Sequence, residues 1–117
     1  MIAFLMGLPT IAPRALLARI QQRTVCVCDV NSLSSWNAAH VPGARRLDPH
    51  AYTAADLGAA PGAGIVFYCS GPLCRKAPIA ARRAQQMGHT DVHVMSAGLR
   101  GWLDAGLPVE RGPESPR

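Results

Sequence analysis

A cysteine-containing loop at positions 69–75, with the sequence CSGPLCR, combines residue types that can do nucleophilic chemistry on an anion. The loop follows a continuous apolar run at 65–68, typical of a buried parallel strand, and precedes a segment predicted to be helical. A residue at this junction meets the unpaired backbone N–H groups and the positive dipole end of the helix. Such a position, with cations such as Arg75 and Lys76 nearby, lowers a cysteine pKa from about 8.5 into the range of about 3.5–7.5. We therefore predict that Cys69 is a thiolate nucleophile that attacks or carries an anionic group.

A second thiol, Cys74, lies five residues after Cys69 in the same loop. It can resolve a persulfide or sulfenate on Cys69 by forming a disulfide. Alternatively, Cys74 fills space beneath the loop or donates a weak S–H hydrogen bond. A disulfide requires the two Cα atoms to lie within about 7 Å of each other, so the sequence leaves both roles open.

Strand-like and helix-like segments alternate on both sides of this loop. Apolar, β-branched runs predict strands at 24–30, 65–68 and 92–95, and longer periodic runs predict helices at 12–22, 76–87 and 97–103. The polar stretch 31–40 is compatible with a helical turn, whereas 45–57 gives no clear assignment. This alternation is typical of an α/β domain built on a parallel sheet. Ligands of such sheets bind beyond the carboxyl ends of the strands, where Cys69 lies.

The chain of 117 residues has the size of one domain. Hydrophobic residues make up 49% of it and charged residues 16%, which is typical of a globular protein. We predict an N-terminal extension at 1–10, one folded domain at 11–110, and a flexible tail of glycine, proline and charged residues at 111–117.

The formal net charge is +5, and the cations are scattered along the chain. No long basic run with interleaved aromatic residues occurs, so we expect a small anionic partner and no nucleic acid. The apolar stretch 1–8 is shorter than the about 20 residues of a membrane-spanning helix, and it lacks the basic start of a signal peptide. We therefore predict a cytoplasmic protein with no membrane partner, in a compartment where thiols stay reduced.

Four cysteines, at positions 26, 28, 69 and 74, equal the number of ligands in a Cys₄ zinc site. Their Cys-X-Cys and Cys-X4-Cys spacings match zinc knuckles poorly, and Cys26 and Cys28 lie within an apolar run. The four histidines likewise lack metal-ligand spacing. We therefore predict no metal and no cofactor, with Cys26 and Cys28 packed in the core.

Three segments, in order along the chain, resemble those of one protein family. Residues 29–44 (DVN…W…HVPGA) are similar to its DVR…F…GHIPGA segment, residues 68–81 to its catalytic YC…AA segment, and residues 97–109 to its closing GG…W…AGLPV segment. On these residues the chain from 11 to 110 resembles the rhodanese family. The resemblance implies a small parallel-sheet α/β domain with helices on both faces.

The resemblance also implies a sulfurtransferase. In that family a cysteine takes a sulfane sulfur from an anionic donor such as thiosulfate, forms a persulfide, and delivers the sulfur to cyanide, glutathione or a protein thiol. By this resemblance Cys69 is the catalytic residue, whereas Asp29, His40 and Trp102 support the structure. The loop that binds the donor and the persulfide then comprises Ser70, Gly71, Pro72, Leu73, Cys74 and Arg75.

Departures from the family pattern leave two other functions open. Asn31 replaces the arginine of the DVR segment, Ala97 replaces the first glycine of the GG pair, and the stretch 69–88 is longer than in common single-domain members. These changes are compatible with a catalytically idle module that binds a partner or senses an anion. The spacing Cys69-X5-Arg75 also matches the loop of phosphatases and arsenate reductases that share the fold, in which the arginine clamps two oxygens of an oxyanion.

Overall fold

A computed structural model describes residues 2–113, except for the side chains of Ile2 and Phe4. Within this range the chain forms four strands and six helices. The strands are β1 (Val25–Asp29), β2 (Arg45–Arg46), β3 (Gly64–Tyr68) and β4 (Val92–Val94). The helices are α1 (Ile2–Leu5), α2 (Pro13–Gln21), α3 (Leu33–Ala38), α4 (Ala54–Leu57), α5 (Lys76–Gln86) and α6 (Gly98–Asp104). Of the predicted flexible tail at 111–117, residues 114–117 lie outside the described residues.

The four strands are parallel and lie side by side in the order β2-β1-β3-β4. Asp29, the last residue of β1, pairs with Tyr68, the last residue of β3, so the two central strands end at the same level. Cys69 follows Tyr68 and therefore leaves the sheet at its carboxyl edge. The predicted α/β class with a parallel sheet is confirmed.

Helices cover both faces of the sheet, as the family resemblance implied. Successive side chains of a strand point to opposite faces, so β3 contributes Phe67 to one face and Val66 and Tyr68 to the other. The Phe67 face is packed by α1, α4 and α5. Cys69 continues the alternation and lies on this same face. The opposite face is packed by α2, α3 and α6, which bury Leu16, Trp36 and Trp102.

The unassigned stretch 45–57 contains the short strand β2 and the one-turn helix α4. A capping box begins α4, because the Thr53 hydroxyl accepts from the N–H of Asp56 while the Asp56 carboxylate accepts from the N–H of Thr53. This Thr-X-X-Asp pattern is a helix-start signal that is readable in the sequence. Helix α4 has only one turn because Gly58, in a left-handed conformation, ends it.

The N-terminal segment packs on the α5 face of the sheet. Thr10 pairs in parallel with Val94 of β4, and Ala3 and Leu8 are buried in the cluster that includes α5. The Arg82 guanidinium of α5 donates to the Met6 carbonyl at 2.6 Å. Residues 2–8 therefore lie on the side of the sheet that holds Cys69. No helix among residues 2–113 combines the length and the apolar character that crossing a bilayer requires.

Asp29 is fully buried at the end of β1, and both of its carboxylate oxygens accept hydrogen bonds. Oδ1 accepts from the N–H of Asn31 at 2.7 Å, and Oδ2 accepts from the Tyr68 hydroxyl at 2.5 Å. The Tyr68 oxygen in turn accepts from the N–H of Val41 at 3.0 Å. Burial raises the pKa of Asp29, and these hydrogen bonds offset only part of the increase. Asp29 thus joins the ends of β1 and β3 to the loop at Val41.

We expect Tyr68→Phe to lower the free energy of unfolding by about 1.5–3 kcal/mol, because it leaves a buried carboxylate oxygen without its donor. The folded pKa of Asp29 lies above its unfolded value, so its ionisation costs stability as the pH rises through the folded pKa. Loss of the hydroxyl raises that pKa further, and the destabilisation is therefore larger at neutral pH than near pH 4. Urea unfolding at both pH values measures this difference. An equal loss of unfolding free energy at both pH values would contradict the hydrogen bond from Tyr68 to Asp29.

Candidate active site

Cys69 lies between the end of β3 and the first turn of α5, with 2% of its surface exposed. The N–H of Ala77 donates to the Cys69 Sγ at 3.4 Å. The backbone of Ser70 also hydrogen-bonds this sulfur. The thiol is therefore at the N-terminal turn of a helix, as the order of strand, loop and helix predicts.

The start of α6 holds the beginning of the loop in place. The N–H of Leu99 donates to the Cys69 carbonyl at 2.8 Å, and the N–H of Arg100 donates to the Ser70 carbonyl at 3.0 Å. The first N–H groups of a helix have no partner within the helix. In α6 two of them bind the carbonyls of Cys69 and Ser70, so backbone groups alone hold this part of the loop. The position of the Cys69 backbone therefore depends on a helix about 30 residues further along the chain.

Gly98 makes this close approach possible. Its φ is +67°, and a Cβ at this position would lie 2.5 Å from the backbone nitrogen of Gly71. Only glycine combines this backbone conformation with the space required. Gly98 is not among the site residues predicted from the sequence, although the glycine of the closing GG…W segment is the signal that points to it.

Cys74 is half-buried, and its thiol lies next to that of Cys69. The two sulfurs are close enough to shift each other's pKa, and the N–H of Lys76 and the N–H and hydroxyl of Ser70 lie near the Cys74 sulfur. No disulfide joins the two cysteines. The hydrogen-bond donors of the loop therefore converge on Cys74 as much as on Cys69.

The two neighbouring thiols have opposite pKa shifts. Burial, followed by the hydrogen bond to Cys74, raises the pKa of Cys69 to about 12. Burial also opposes ionisation of Cys74, but the hydrogen bonds from Cys69, Lys76 and Ser70 together bring its pKa below the ordinary value. In this closed arrangement Cys74 is the thiol that ionises more readily.

The expected thiolate at Cys69 is therefore wrong for this arrangement of the loop. The helix N-terminus and the nearby cations favour the thiolate. Desolvation opposes it and is the larger contribution, because only 2% of Cys69 is exposed. Arg75 and Lys76 are exposed on the surface of the loop, where solvent screens their charges.

Cys69 lines a partly enclosed cavity of about 10 Å³. This volume is close to the minimum that holds one water molecule. The walls combine the loop and the first turn of α5 with Ala3 of the N-terminal segment and with Met95 and Ser96 after β4. An anion of the size of thiosulfate therefore reaches Cys69 only when the cavity opens.

An open groove of about 300 Å³ lies on the outer side of the loop. Residues 70–74 and Arg100 line it, and the side chain of Leu73 is 81% exposed. Cys74 lines both this groove and the cavity of Cys69. The groove thus brings a cation and a readily ionised thiol to one accessible surface.

Arg75 lines neither the cavity nor the groove. It is exposed and occupies the N-cap position of α5. The oxyanion-enzyme hypothesis requires Arg75 to point into the loop and clamp two oxygens. The observed position does not favour that hypothesis.

The three residues predicted to support the structure lie outside the cavity and the groove. Asp29 connects strand ends, as described above. The His40 ring stacks on Trp36 with centroids 3.5 Å apart, and its Nδ1 is hydrogen-bonded to the Trp36 carbonyl at 2.8 Å. Trp102 is fully buried and donates through Nε1 to the Pro108 carbonyl at 2.8 Å.

Within the described range, His, Cys, Asp and Glu side chains do not form a group of three or more that could hold a metal ion.

Comparison with known proteins identifies relatives of this chain. The model of the rhodanese-like domain family matches residues 12–105. The chain is 38% identical over 98 residues to the HTH-type transcriptional regulator Rv0324 of Mycobacterium tuberculosis, a match that covers 83% of this chain and 42% of the regulator. The chain therefore spans less than half the length of this curated relative.

Solved structures with the same fold include sulfurtransferases. The thiosulfate sulfurtransferase from Pseudomonas aeruginosa has a TM-score of 0.75 and 27% identity, over 90% of this chain and 20% of that one. The human single-domain sulfurtransferase TSTD1 has a TM-score of 0.69 and 19% identity, over 82% of this chain and 96% of that one. The human protein is similar at the level of the fold alone.

Proposed function

Because this chain belongs to the rhodanese-like domain family, we propose that it is a sulfurtransferase in which Cys69 carries a sulfane sulfur as a persulfide. The observation that carries the proposal is the position of the Cys69 sulfur. It lies at the carboxyl end of β3 and accepts from the N–H of Ala77 in the first turn of α5. Backbone donors at a helix N-terminus stabilise the negative charge of an anionic donor and of the persulfide.

The reaction balances without an external oxidant. The Cys69 sulfur attacks the outer sulfur of thiosulfate, the S–S bond of thiosulfate breaks, and sulfite leaves: Cys69–SH + SSO₃²⁻ gives Cys69–S–SH + SO₃²⁻. An acceptor such as cyanide then takes the outer sulfur as thiocyanate, and Cys69–SH is regenerated. The protein contributes a positioned nucleophile and fixed hydrogen-bond donors.

Opening of the cavity is part of this proposal. Burial is the largest cause of the high pKa of Cys69, so entry of water lowers that pKa and makes the thiolate more accessible. The opening also gives the donor the space that about 10 Å³ does not provide. Loading therefore requires a movement of the loop, of the N-terminal segment around Ala3, or of both.

The partners that fit this chemistry are a small anionic sulfur donor and a thiophilic acceptor. The acceptor is cyanide, a low-molecular-weight thiol or the thiol of a protein. We further propose a cytoplasmic location, since the mechanism depends on reduced thiols. The chemistry requires neither a metal nor an organic cofactor.

Intact-mass measurement after incubation with thiosulfate tests the proposal. We expect a mass gain of one sulfur atom, which is lost on addition of cyanide with the release of an equal amount of thiocyanate. If the wild-type protein gains no sulfur and yields no thiocyanate, it is not a thiosulfate sulfurtransferase.

A second function is a catalytically idle module that senses an anion or binds a partner. The closed cavity favours it, and so does the similarity to a transcriptional regulator. In such a module the domain retains its fold but thiosulfate leaves no covalent sulfur. The same mass measurement therefore separates the two functions.

A further inference from the structure

Cys74 borders two spaces, and of the two loop thiols it is the one that borders both. It shares the small inner cavity with Cys69, and it also lines the open groove outside the loop. Cys69 is only 2% exposed, whereas Cys74 is half-buried and borders the groove. A molecule too large for the inner cavity can therefore contact Cys74 while the cavity stays closed.

The hydrogen bonds around Cys74 are those of a reactive thiol. The Cys69 thiol, the N–H of Lys76 and the N–H and hydroxyl of Ser70 lie close enough to its sulfur to lower its pKa, and the sulfur-bearing residue borders the open groove. These donors stabilise a negative charge on sulfur. A thiol that only filled space under the loop would need apolar neighbours and no such set of donors.

We propose that Cys74 is a second catalytic thiol, which takes the sulfane sulfur from Cys69 and delivers it to a thiol acceptor in the outer groove. This inference rests on the proposed function, because it requires a persulfide on Cys69. The Cys74 thiolate attacks the outer sulfur of that persulfide, and the bond between this sulfur and the Cys69 sulfur breaks. The persulfide proton moves to Cys69, so that Cys69–S–SH + Cys74–S⁻ gives Cys69–SH + Cys74–S–S⁻.

The acceptor completes the cycle at the surface. Its thiol attacks the outer sulfur on Cys74 and releases the Cys74 thiolate: Cys74–S–S⁻ + R–SH gives Cys74–S⁻ + R–S–SH. No oxidant or reductant is consumed in either step. The Arg100 side chain lines the groove, so the acceptor class that fits is a thiol with negative charge.

The decisive experiment compares two acceptors on proteins loaded in advance with thiosulfate. Cyanide has two atoms, so it needs less opening of the cavity than thiosulfate does and we expect it to reach Cys69 directly. Glutathione is an anionic tripeptide and needs a much larger opening. In Cys74→Ser we expect discharge to glutathione to fall on the order of 10–100-fold, because an adjacent nucleophile is lost. Because Cys74 also lines the cavity of Cys69, the readout is the ratio of glutathione discharge to cyanide discharge within each loaded protein, and we expect this ratio to fall by the same factor.

The outcomes separate this inference from the proposed function. If the wild type gains no sulfur at all, the proposed function fails and the relay fails with it. If loaded Cys74→Ser keeps the wild-type ratio of glutathione discharge to cyanide discharge, sulfur transfer stands and the relay is wrong. Cys26→Ser is the matched control, because Cys26 is a half-buried thiol on the same sheet face that lines neither the cavity nor the groove, and it should discharge like the wild type.

Alkylation of the unmodified wild-type protein provides a test that needs no variant. Iodoacetamide reacts with thiolates, so we expect it to modify Cys74 at least ~10-fold faster than Cys69 at pH 8, as read by fragment-ion mass spectrometry. Equal rates, or faster reaction at Cys69, would contradict the division of roles. Cys74→Ala serves as a second variant if the serine variant unfolds.

Discussion

Cys69→Ser is expected to take up no sulfur from thiosulfate and to release no thiocyanate. A serine oxygen cannot form a persulfide under these conditions, so activity should fall to the uncatalysed background. The fold should tolerate the change, since Ala77 and Cys74 offer hydrogen-bond partners to the new hydroxyl. Without such partners, burial of the serine hydroxyl would cost about 1–3 kcal/mol of stability.

Intact mass after thiosulfate, and a thiocyanate assay, measure this loss. Urea unfolding of the same variant shows whether the fold is intact. Cys26→Ser is again the control, because it removes a thiol from the same face of the sheet and should keep full uptake. If Cys69→Ser still gained one sulfur atom, the first nucleophile would be Cys74, and the order of the two thiols proposed above would be reversed.

Gly98→Ala is expected to damage both stability and sulfur transfer. The new Cβ would lie 2.5 Å from the Gly71 nitrogen and 2.7 Å from the Ser70 carbonyl carbon, in a backbone with a φ of +67°. Backbone strain and the steric overlap together should cost about 2–5 kcal/mol. Because α6 also donates to the Cys69 and Ser70 carbonyls, relief of the overlap displaces the loop. A displacement of the order of 1 Å can lower the rate by about 100-fold.

Gly106→Ala separates the effect of strain from the effect of contact. Gly106 follows the other end of α6 with a φ of +72°, but a Cβ there would meet nothing within 4 Å. We expect this control to lose about 1–3 kcal/mol from strain alone and to retain normal sulfur uptake. Thermal unfolding and the thiosulfate loading rate compare the two variants. If they behaved alike in both measurements, the close approach of Gly98 to the loop would have no role in positioning Cys69.

These expectations depend on different kinds of information. The alternation of apolar runs with helical segments predicted the parallel α/β sheet, because strand and helix periodicities are local properties of the sequence. The capping box at Thr53 and Asp56 is equally local, although the stretch around it gave no clear assignment. By contrast, the contact of Gly98 with Gly71 joins distant segments, and no local pattern specifies it.

The loop that contains Cys69 shows the same division. By itself the sequence determined that a cysteine follows a buried strand and precedes a helix, which places its sulfur at the helix N-terminus. Only the tertiary structure decided the pKa of that sulfur, because desolvation depends on every segment packed around it. One of these segments is the N-terminal one, through Ala3. It also decided that Cys74 faces Cys69 on one side and the outer groove on the other. Burial and proximity are properties of the folded chain, so residue types and spacing cannot supply them.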